Sequence, residues 1–194
     1  MIADKISTIL QSRTPRVLGA EHLKPAAVLV PIQERADGDY LVLTQRAAML
    51  STHRGQVAFP GGRVDHEDSG PLAAALRESQ EEIGVQPRDV RVLGQLDQVT
   101  AASNYLVTPF IGVIPFPYEF RLNPAETTAV FSVPVSALLD PERFRMEPRP
   151  NASPRRDPIY HFHYEGWDIW GATARIITQL LELAYDFEIQ TDLD

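Results

Sequence analysis

Apolar residues at the start of the chain recur at the spacing of an amphipathic helix. These residues are Ile2, Ile6, Ile9 and Leu10. The pattern predicts a helix over about 2–12 that ends before Pro15, because proline cannot continue a helix. A closing helix is predicted near the other end of the chain, over about 173–183.

Between these helices the chain has the shorter apolar runs that are typical of β-strands. Two of them, 26–32 and 40–46, flank Asp37-Gly38, which predicts a hairpin with a tight turn. Further strands are predicted over 90–99, 107–115 and 129–133. Hairpins mixed with helices, rather than regular alternation, predict an α+β fold with a mixed sheet covered by helices.

A short strand over 56–59 runs into Pro60-Gly61-Gly62, where the backbone needs unusual freedom. The clearest helix of the chain follows, over about 70–83. We expect Asp68 or Ser69 to cap it, Pro71 to occupy its first turn and Gly84 to end it. Its packing face is predicted to consist of Leu72, Ala75, Leu76, Ser79 and Ile83.

Three glutamates of this helix lie on the arc beside the packing face, with Glu82 nearest to it. Glu78 and Glu82 are about 40° apart around the axis, so both carboxylates can reach one cation, and Glu81 can reach its flank. A glutamate-rich helix considered by itself more often has a solvated acidic face than a metal site. The nearby glycines, and Arg77 as a partner that orients a carboxylate, favour a metal site.

Composition limits the class of protein. The chain has 194 residues, of which 44% are hydrophobic and 23% charged, so it can bury a core without disulfides or structural metals. The absence of cysteine excludes a cysteine nucleophile and cysteine-bound zinc. With 26 acidic against 18 basic residues, the net charge of -8 disfavours binding to nucleic acid or to anionic membranes.

Two further observations concern location. The longest apolar stretch, 26–32, is far shorter than the roughly 20 residues of a membrane-spanning helix. Asp4 and the lack of a positively charged start do not fit a secretory signal, so a cytoplasmic protein is expected. The sequence leaves open whether it is a monomer or a homodimer.

Gly62, Asp68 and the run from Arg77 to Val85 resemble the signature of the Nudix hydrolases. Three departures stand out. Asp68 takes the place of the first glutamate of the signature, eight residues rather than seven precede Arg77, and Ser79 takes an aliphatic position. The first two departures are shared by the coenzyme A pyrophosphatase-like branch of the family.

An upstream segment resembles the same branch. Residues 43–47 and 55–62 are similar to its second motif, except that Ser51 stands where the motif has an arginine. His53 or Arg54 lies near enough in sequence to replace the contacts of that arginine. Segments at 108–110, 123–126 and 169–174 are also similar to the branch, so the resemblance extends over about 26–180.

The resemblance implies a Nudix fold, in which a mixed β-sheet is sandwiched between helices (α/β/α), with 1–194 forming a single Nudix hydrolase domain. It also implies attack by water on a diphosphate with the help of Mg²⁺ or Mn²⁺, which prefer oxygen ligands. The expected metal ligands are Glu78, Glu82, Glu81 and the carbonyl of Gly61. The expected catalytic residues are Glu78, Glu81, Glu82, Arg77 and Glu126.

Glu78 and Glu126 are the two candidates for the general base, and Glu126 is the distal residue that we choose, although it can also be a plain loop acid. The residues expected to bind substrate are Arg46, Arg54, Arg63, Gly61 and Gly62. Among the arginines Arg46 is the first choice as a phosphate ligand. The alternative for Arg46 is an ion pair at the end of a strand.

The expected substrate is coenzyme A or a derivative, cleaved to 3',5'-ADP and 4'-phosphopantetheine or its acyl form. An alternative is ADP-ribose, a dinucleotide, a nucleoside triphosphate or another nucleoside diphosphate derivative, and Ser51 is the main argument for it. The third hypothesis is a module that binds a nucleotide without hydrolysing it. It is disfavoured because all three glutamates of the helix are present.

Two pairs of residues near the end of the chain are interpreted as structural. His161 and His163 alternate on a predicted strand and share a face, but no third zinc ligand stands at a recognisable spacing. Trp167 and Trp170 are interpreted as core or interface residues rather than as a platform for stacking a base.

Overall fold

The computed structural model describes residues 2–20, 22–47, 55–102, 104–148 and 158–189. The α-helices within these ranges are α1 (Ile2–Gln11), α2 (Pro71–Ile83), α3 (Val135–Leu138) and α4 (Ala172–Ala184). The strands are β1 (Lys24–Arg35), β2 (Gly38–Arg46), β3 (Val57–Ala58), β4 (Gly61–Arg63), β5 (Arg91–Gln95), β6 (Val99–Ala101), β7 (Tyr105–Val113), β8 (Thr127–Pro134), β9 (Phe144–Glu147), β10 (Ile159–Tyr164) and β11 (Trp167–Trp170). None of the described helices is both long and apolar enough to cross a membrane.

Strand β1 organises the larger sheet. It runs antiparallel to β2 and β4 and parallel to β7. Strand β2 also pairs with β3 and β8, and β7 with β5 and β6, all antiparallel. The sheet is therefore mixed, as the sequence predicts. Strands β9, β10 and β11 form a separate antiparallel sheet.

Alternating side chains of β1 face two different sets of helices. Ala27 and Leu29 are fully buried and pack in the clusters that contain α2 residues such as Ala75 and Ile83. Val30 and Ile32 belong to the main core, together with residues of α1 and α4. Because neighbouring side chains of a strand point to opposite faces, α2 covers one face of the sheet, and α1 and α4 cover the other. This α/β/α arrangement confirms the predicted fold class.

The predicted strand over 90–99 is in fact two strands. Gly94, with φ of 154°, lies at a register shift in the pairing of β5 with β7. Beyond β5 the chain turns toward the N-terminal segment: the carboxylate of Asp97 accepts from the backbone N–H of Arg16, and Gln98 donates its backbone N–H to the Arg16 carbonyl. These contacts separate β5 from β6.

The predicted side-chain cap of α2 is also wrong. Gly70 occupies the N-cap position without a capping side chain, because the carboxylate of Asp68 is held instead by Arg77. Pro71 begins the helix and Gly84 ends it in the left-handed conformation, as predicted. In the hairpin, residues 36–37 make the turn and Gly38 is the first residue of β2, paired with Arg35.

The contact between β1 and α2 generates a test of the core. Replacing the fully buried Leu29 by alanine leaves a cavity beneath α2, so we expect the free energy of unfolding to fall by about 2–5 kcal/mol in urea denaturation. The matched control is Leu122→Ala, since Leu122 is 39% exposed and should change the value by no more than about 0.5 kcal/mol. Equal losses in the two variants would contradict this packing.

Candidate active site

Two consecutive glycines bring the backbone of β4 against β1 and α2. A Cβ on Gly61 would lie 2.3 Å from the carbonyl oxygen of Ala27, and its φ of 149° is also unfavourable for other residues. A Cβ on Gly62 would lie 2.5 Å from the carboxyl carbon of Glu78. The space that a side chain would occupy at Gly62 is therefore filled by the carboxylate of Glu78.

Glu82 is the most deeply buried acidic group of the site. It is 2% exposed, whereas the helical wheel places it outside the packing face. One of its oxygens accepts from the backbone N–H of Gly61 at 3.2 Å, and the other lies 3.4 Å from Nη1 of Arg46. Burial raises the pKa of Glu82 to about 7, with smaller contributions from Glu78 and Glu126, while Arg46 and the Gly61 N–H act in the opposite direction.

Glu126 reaches the site through the loop that follows β7. This loop closes the end of α2, because Arg121 and Asn123 donate their backbone N–H groups to the carbonyls of Ile83 and Glu82, both at 2.9 Å. The side-chain amide of Asn123 also donates to Glu126 at 3.0 Å. The loop that completes the helix terminus thus carries Glu126 to the carboxylates of α2.

Among the residues that the structure describes, Glu78, Glu82 and Glu126 form the group able to hold a metal ion, with ligand oxygens all within 4.8 Å of one another. Burial, together with the charges of Glu81 and Glu126, raises the pKa of Glu78 as well. Three carboxylates this close repel one another, and a divalent cation relieves that repulsion. An all-oxygen donor set suits Mg²⁺ or Mn²⁺, so these residues fit the expected cofactor.

Glu81 lies outside this carboxylate cluster. Its side chain is half exposed, and its carboxylate accepts from Arg77 at 3.1 Å. The role of Glu81 as a further metal ligand therefore stays a prediction. The family resemblance implies that Glu126 is a catalytic residue. In the structure its carboxylate also lies close enough to Glu78 and Glu82 to be a possible metal ligand.

Arg77 connects the acidic groups around the helix. Its guanidinium binds both oxygens of Asp68, each at 3.0 Å, and lies 3.0 Å from Glu78. It also donates to the carbonyl of Arg63 at 3.2 Å, which ties α2 to β4. These bonds lower the pKa of Asp68 and hold the carboxylate of Glu78. Arg77 is therefore a positioning residue in this structure.

A pocket of about 510 Å³ opens above the carboxylates. Of the residues expected to bind substrate, the pocket is lined by Arg46, Arg63, Gly61 and Gly62. Arg54, like Ser51 and His53, lies outside the described residues. The residues that line it also include Tyr105, Trp170 and Ile176, which were not predicted as site residues from the sequence. The resemblance over 169–174 was the one sequence signal that pointed to any of them.

The histidine and tryptophan pairs differ in their surroundings. His161 and His163 contact Asp168 and Arg145, and neither belongs to a potential metal-binding group within the described part of the chain. Trp167 is partly buried and stacks on Phe131 against the main core, with ring centroids 4.5 Å apart. Trp170 is not a core residue, because it is 39% exposed and lines the pocket.

Comparison with known proteins identifies the family. The family model described as "NUDIX domain" matches residues 23–155, so the chain belongs to the Nudix family of hydrolases. A relative from Citrobacter koseri, described as an uncharacterized Nudix hydrolase and named NudL, is 39% identical over 181 residues, which cover 91% of this chain and 92% of the relative. NudL from Escherichia coli strain SMS-3-5 is 41% identical over 160 residues, or 81% of each protein.

The fold agrees with this assignment. A MutT/nudix family protein from Enterococcus faecalis superposes with a TM-score of 0.54 and 17% sequence identity, covering 96% of this chain and 70% of that one. At this identity the likeness concerns the fold alone. The resemblance to the Nudix hydrolases seen in the sequence is thus confirmed at the level of the family.

The close approach of Gly62 to Glu78 generates a test of the carboxylate cluster. Gly62→Ala places a methyl group where the carboxylate lies, so we expect Mn²⁺ affinity in calorimetric titration to fall by about 10-fold or more while the fold persists. Gly19→Ala is the matched control, because a Cβ there meets nothing within 4 Å. Unchanged affinity in Gly62→Ala would show that Glu78 does not need this position to bind the ion.

Proposed function

We propose that this protein is a divalent-metal-dependent diphosphatase of coenzyme A or its derivatives, with residues 1–194 acting as a single catalytic domain. The main support for a hydrolytic activity is the cluster of Glu78, Glu82 and Glu126 at the pocket. The choice of coenzyme A rests on the paired motifs over 43–62 and 62–85. The products are 3',5'-ADP and 4'-phosphopantetheine, or its acyl form.

Each group of the site has a distinct task in this proposal. Glu78 and Glu82 would hold the cation, with the Gly61 carbonyl and Glu81 as further expected ligands and Glu126 beside them. A bound Mg²⁺ or Mn²⁺ supplies charge compensation for the diphosphate and polarises its phosphoryl oxygens. Arg77 holds the carboxylate of Glu78 in one orientation by hydrogen bonding to it.

Arg46 is the proposed phosphate ligand. Its Nη1 faces Glu82, and its Nε is buried without a hydrogen-bond partner among the described residues. The side chain as a whole is 27% exposed and lines the pocket, and a guanidinium that is accessible there is suited to donate to a phosphate oxygen. This supports a substrate role for Arg46 over the alternative of a purely structural ion pair. Arg63 lines the same pocket and is the second proposed contact.

Glu126 is the proposed general base. Its carboxylate is held by the Asn123 amide and lies at the pocket, where it can accept the proton of the attacking water. Glu78, whose pKa is raised by burial, is the other group placed to accept a proton there.

Ser51 supports an alternative substrate class. The position corresponds to an arginine in the upstream motif of the coenzyme A branch, and its loss favours ADP-ribose or another nucleoside diphosphate derivative. A module without hydrolytic activity is disfavoured because all three glutamates of α2 are present and because Glu78, Glu82 and Glu126 lie close to one another.

The carboxylate cluster predicts a difference between two neighbouring glutamates. Glu82→Gln keeps the size of a buried side chain but removes its charge, so we expect turnover of coenzyme A to fall by more than about 100-fold with the fold intact. Glu81→Gln is the comparison on the same helix, and a smaller loss, of less than about 10-fold, is expected because Glu81, as a further ligand, lies outside the cluster. Product chromatography with Mg²⁺ and with Mn²⁺ measures both.

Three substrates separate the alternatives in the same assay. Coenzyme A, ADP-ribose and a dinucleoside polyphosphate are offered in parallel to the wild type. Release of 3',5'-ADP from coenzyme A alone supports the proposal. Cleavage of another substrate while coenzyme A survives would move the specificity to that class, and a normal rate in Glu82→Gln would remove Glu82 from the metal site.

The assignment of the general base generates a separate prediction. If Glu126 accepts the proton, Glu126→Gln should lower kcat by about 100-fold or more, as expected for loss of a general base. Mn²⁺ affinity should then change by less than about threefold, because Glu78 and Glu82 remain. A loss of affinity as large as that of Glu82→Gln, measured by calorimetry, would make Glu126 chiefly a ligand.

A further inference from the structure

The pocket extends beyond the carboxylate cluster into an apolar part that the proposed hydrolysis does not use. Its walls come from the ends of β6 and β7, from β10, and from the junction of β11 with α4. The apolar residues that line it include Ala101, Tyr105, Ile159, Trp170, Ala172 and Ile176. A substrate whose diphosphate lies at the carboxylates therefore extends another part of its structure over these residues.

Trp170 is unusual among them because it is a large aromatic side chain left partly in solvent. The exposed large hydrophobic residues in the described part of the chain are Val17, Val92, Phe116, Leu122 and Trp170. Of this set, Trp170 is the member that lines the pocket. An exposed indole does not gain the favourable free energy of burying its large apolar surface. A ligand that covers the indole gains that free energy on binding.

Two histidine rings lie beside the indole on the same face of the small sheet. Trp170 is the cross-strand partner of His161, and the two rings are 13° from parallel with centroids 6.2 Å apart. His163, the next residue of β10 on that face, lies 6.2 Å from His161 with its ring 20° from parallel. His161 is 6% exposed and does not line the pocket, so the indole is the ring of this group that the pocket presents to a ligand.

Polar contacts from both neighbouring strands hold the two histidines. Nδ1 of His161 donates to the carboxylate of Asp168 on β11 at 3.0 Å. Nε of Arg145 on β9 donates to Nε2 of His163 at 2.8 Å. The surface beside the indole is therefore ordered before a ligand binds, which lowers the entropy cost of stacking.

We propose that Trp170 is a substrate-binding residue that stacks on the purine base of the nucleotide half of the substrate. A flat, partly exposed ring in the wall of the pocket matches a planar aromatic ligand, whereas the pantetheine arm is a flexible chain without a ring. The assignment of the base to a substrate rests on the proposed diphosphatase function. It replaces the sequence-based interpretation of Trp170 as a core or interface residue.

Binding is tested without turnover by intrinsic fluorescence. The chain has two tryptophans, and Trp167 stacks on Phe131 and does not line the pocket, so the difference between wild type and Trp170→Phe isolates Trp170. The probes are AMP and ribose 5-phosphate, which differ only by the base. Saturable quenching by AMP in the wild type, its loss in Trp170→Phe and no quenching by ribose 5-phosphate are expected.

Kinetics supply the second measurement. Trp170→Ala should raise KM for the cleaved adenine nucleotide derivative by about 10-fold or more with kcat changed less than about threefold, and Trp170→Phe should restore most of the loss. Trp170→Leu keeps apolar bulk without an aromatic ring and replaces the alanine variant if that one does not fold. Phe116→Ala is the control, since Phe116 is 53% exposed and does not line the pocket.

The outcomes separate the two proposals. Absence of saturable quenching by AMP, equal quenching in Trp170→Phe, or a KM in Trp170→Leu equal to that of the wild type would overturn stacking even with normal turnover. Saturable quenching that depends on Trp170, in a protein that cleaves no diphosphate, would overturn the diphosphatase function and leave the stacking role standing.

Discussion

The burial of Glu82 is the constraint on which the rest of the site depends. A carboxylate that is 2% exposed needs partners, and it finds them in the Gly61 N–H and the Arg46 guanidinium. Burying a charged group without such partners costs several kcal/mol. The glycine turn, the end of β2 and the last turn of α2 are therefore held in one arrangement around a single side chain.

Glycine has two separate purposes in that arrangement. At Gly61 the lack of a side chain allows β4 to lie against the carbonyl of Ala27, which brings its N–H to Glu82. At Gly62 it leaves room for the carboxylate of Glu78. Arg77 then orients that carboxylate from the opposite side. The acidic groups are thus positioned by backbone geometry and by one arginine.

Local sequence patterns predicted helices α1, α2 and α4, the central hairpin and the mixed sheet. These elements depend on spacing, on Pro71 and Gly84, and on the turn near Asp37, all of which are local signals. The side-chain cap of α2 was mispredicted because Asp68 can either cap a helix or bind an arginine. Only the three-dimensional position of Arg77 decides between them.

Within the candidate site, the motif indicated the glutamates of α2 but not their unequal surroundings. A helical wheel describes one helix, so it cannot show that β4 covers Glu82 while Glu81 remains half exposed. The exposure of Trp170 was equally hidden, because it results from the position of a second sheet beside α4. Both outcomes depend on contacts between segments that are far apart in the sequence.

The loop over 121–126 both closes the end of α2 and carries Glu126. A cation held by Glu78, Glu82 and the Gly61 carbonyl, with Glu126 beside it, would bind the folded chain and not the unfolded one, since the separate segments offer no assembled site. Occupancy and folding are then thermodynamically linked, and the stability of the folded state rises with the concentration of the free ion. The helix terminus, the loop and the ion would respond to chelation as one cooperative unit.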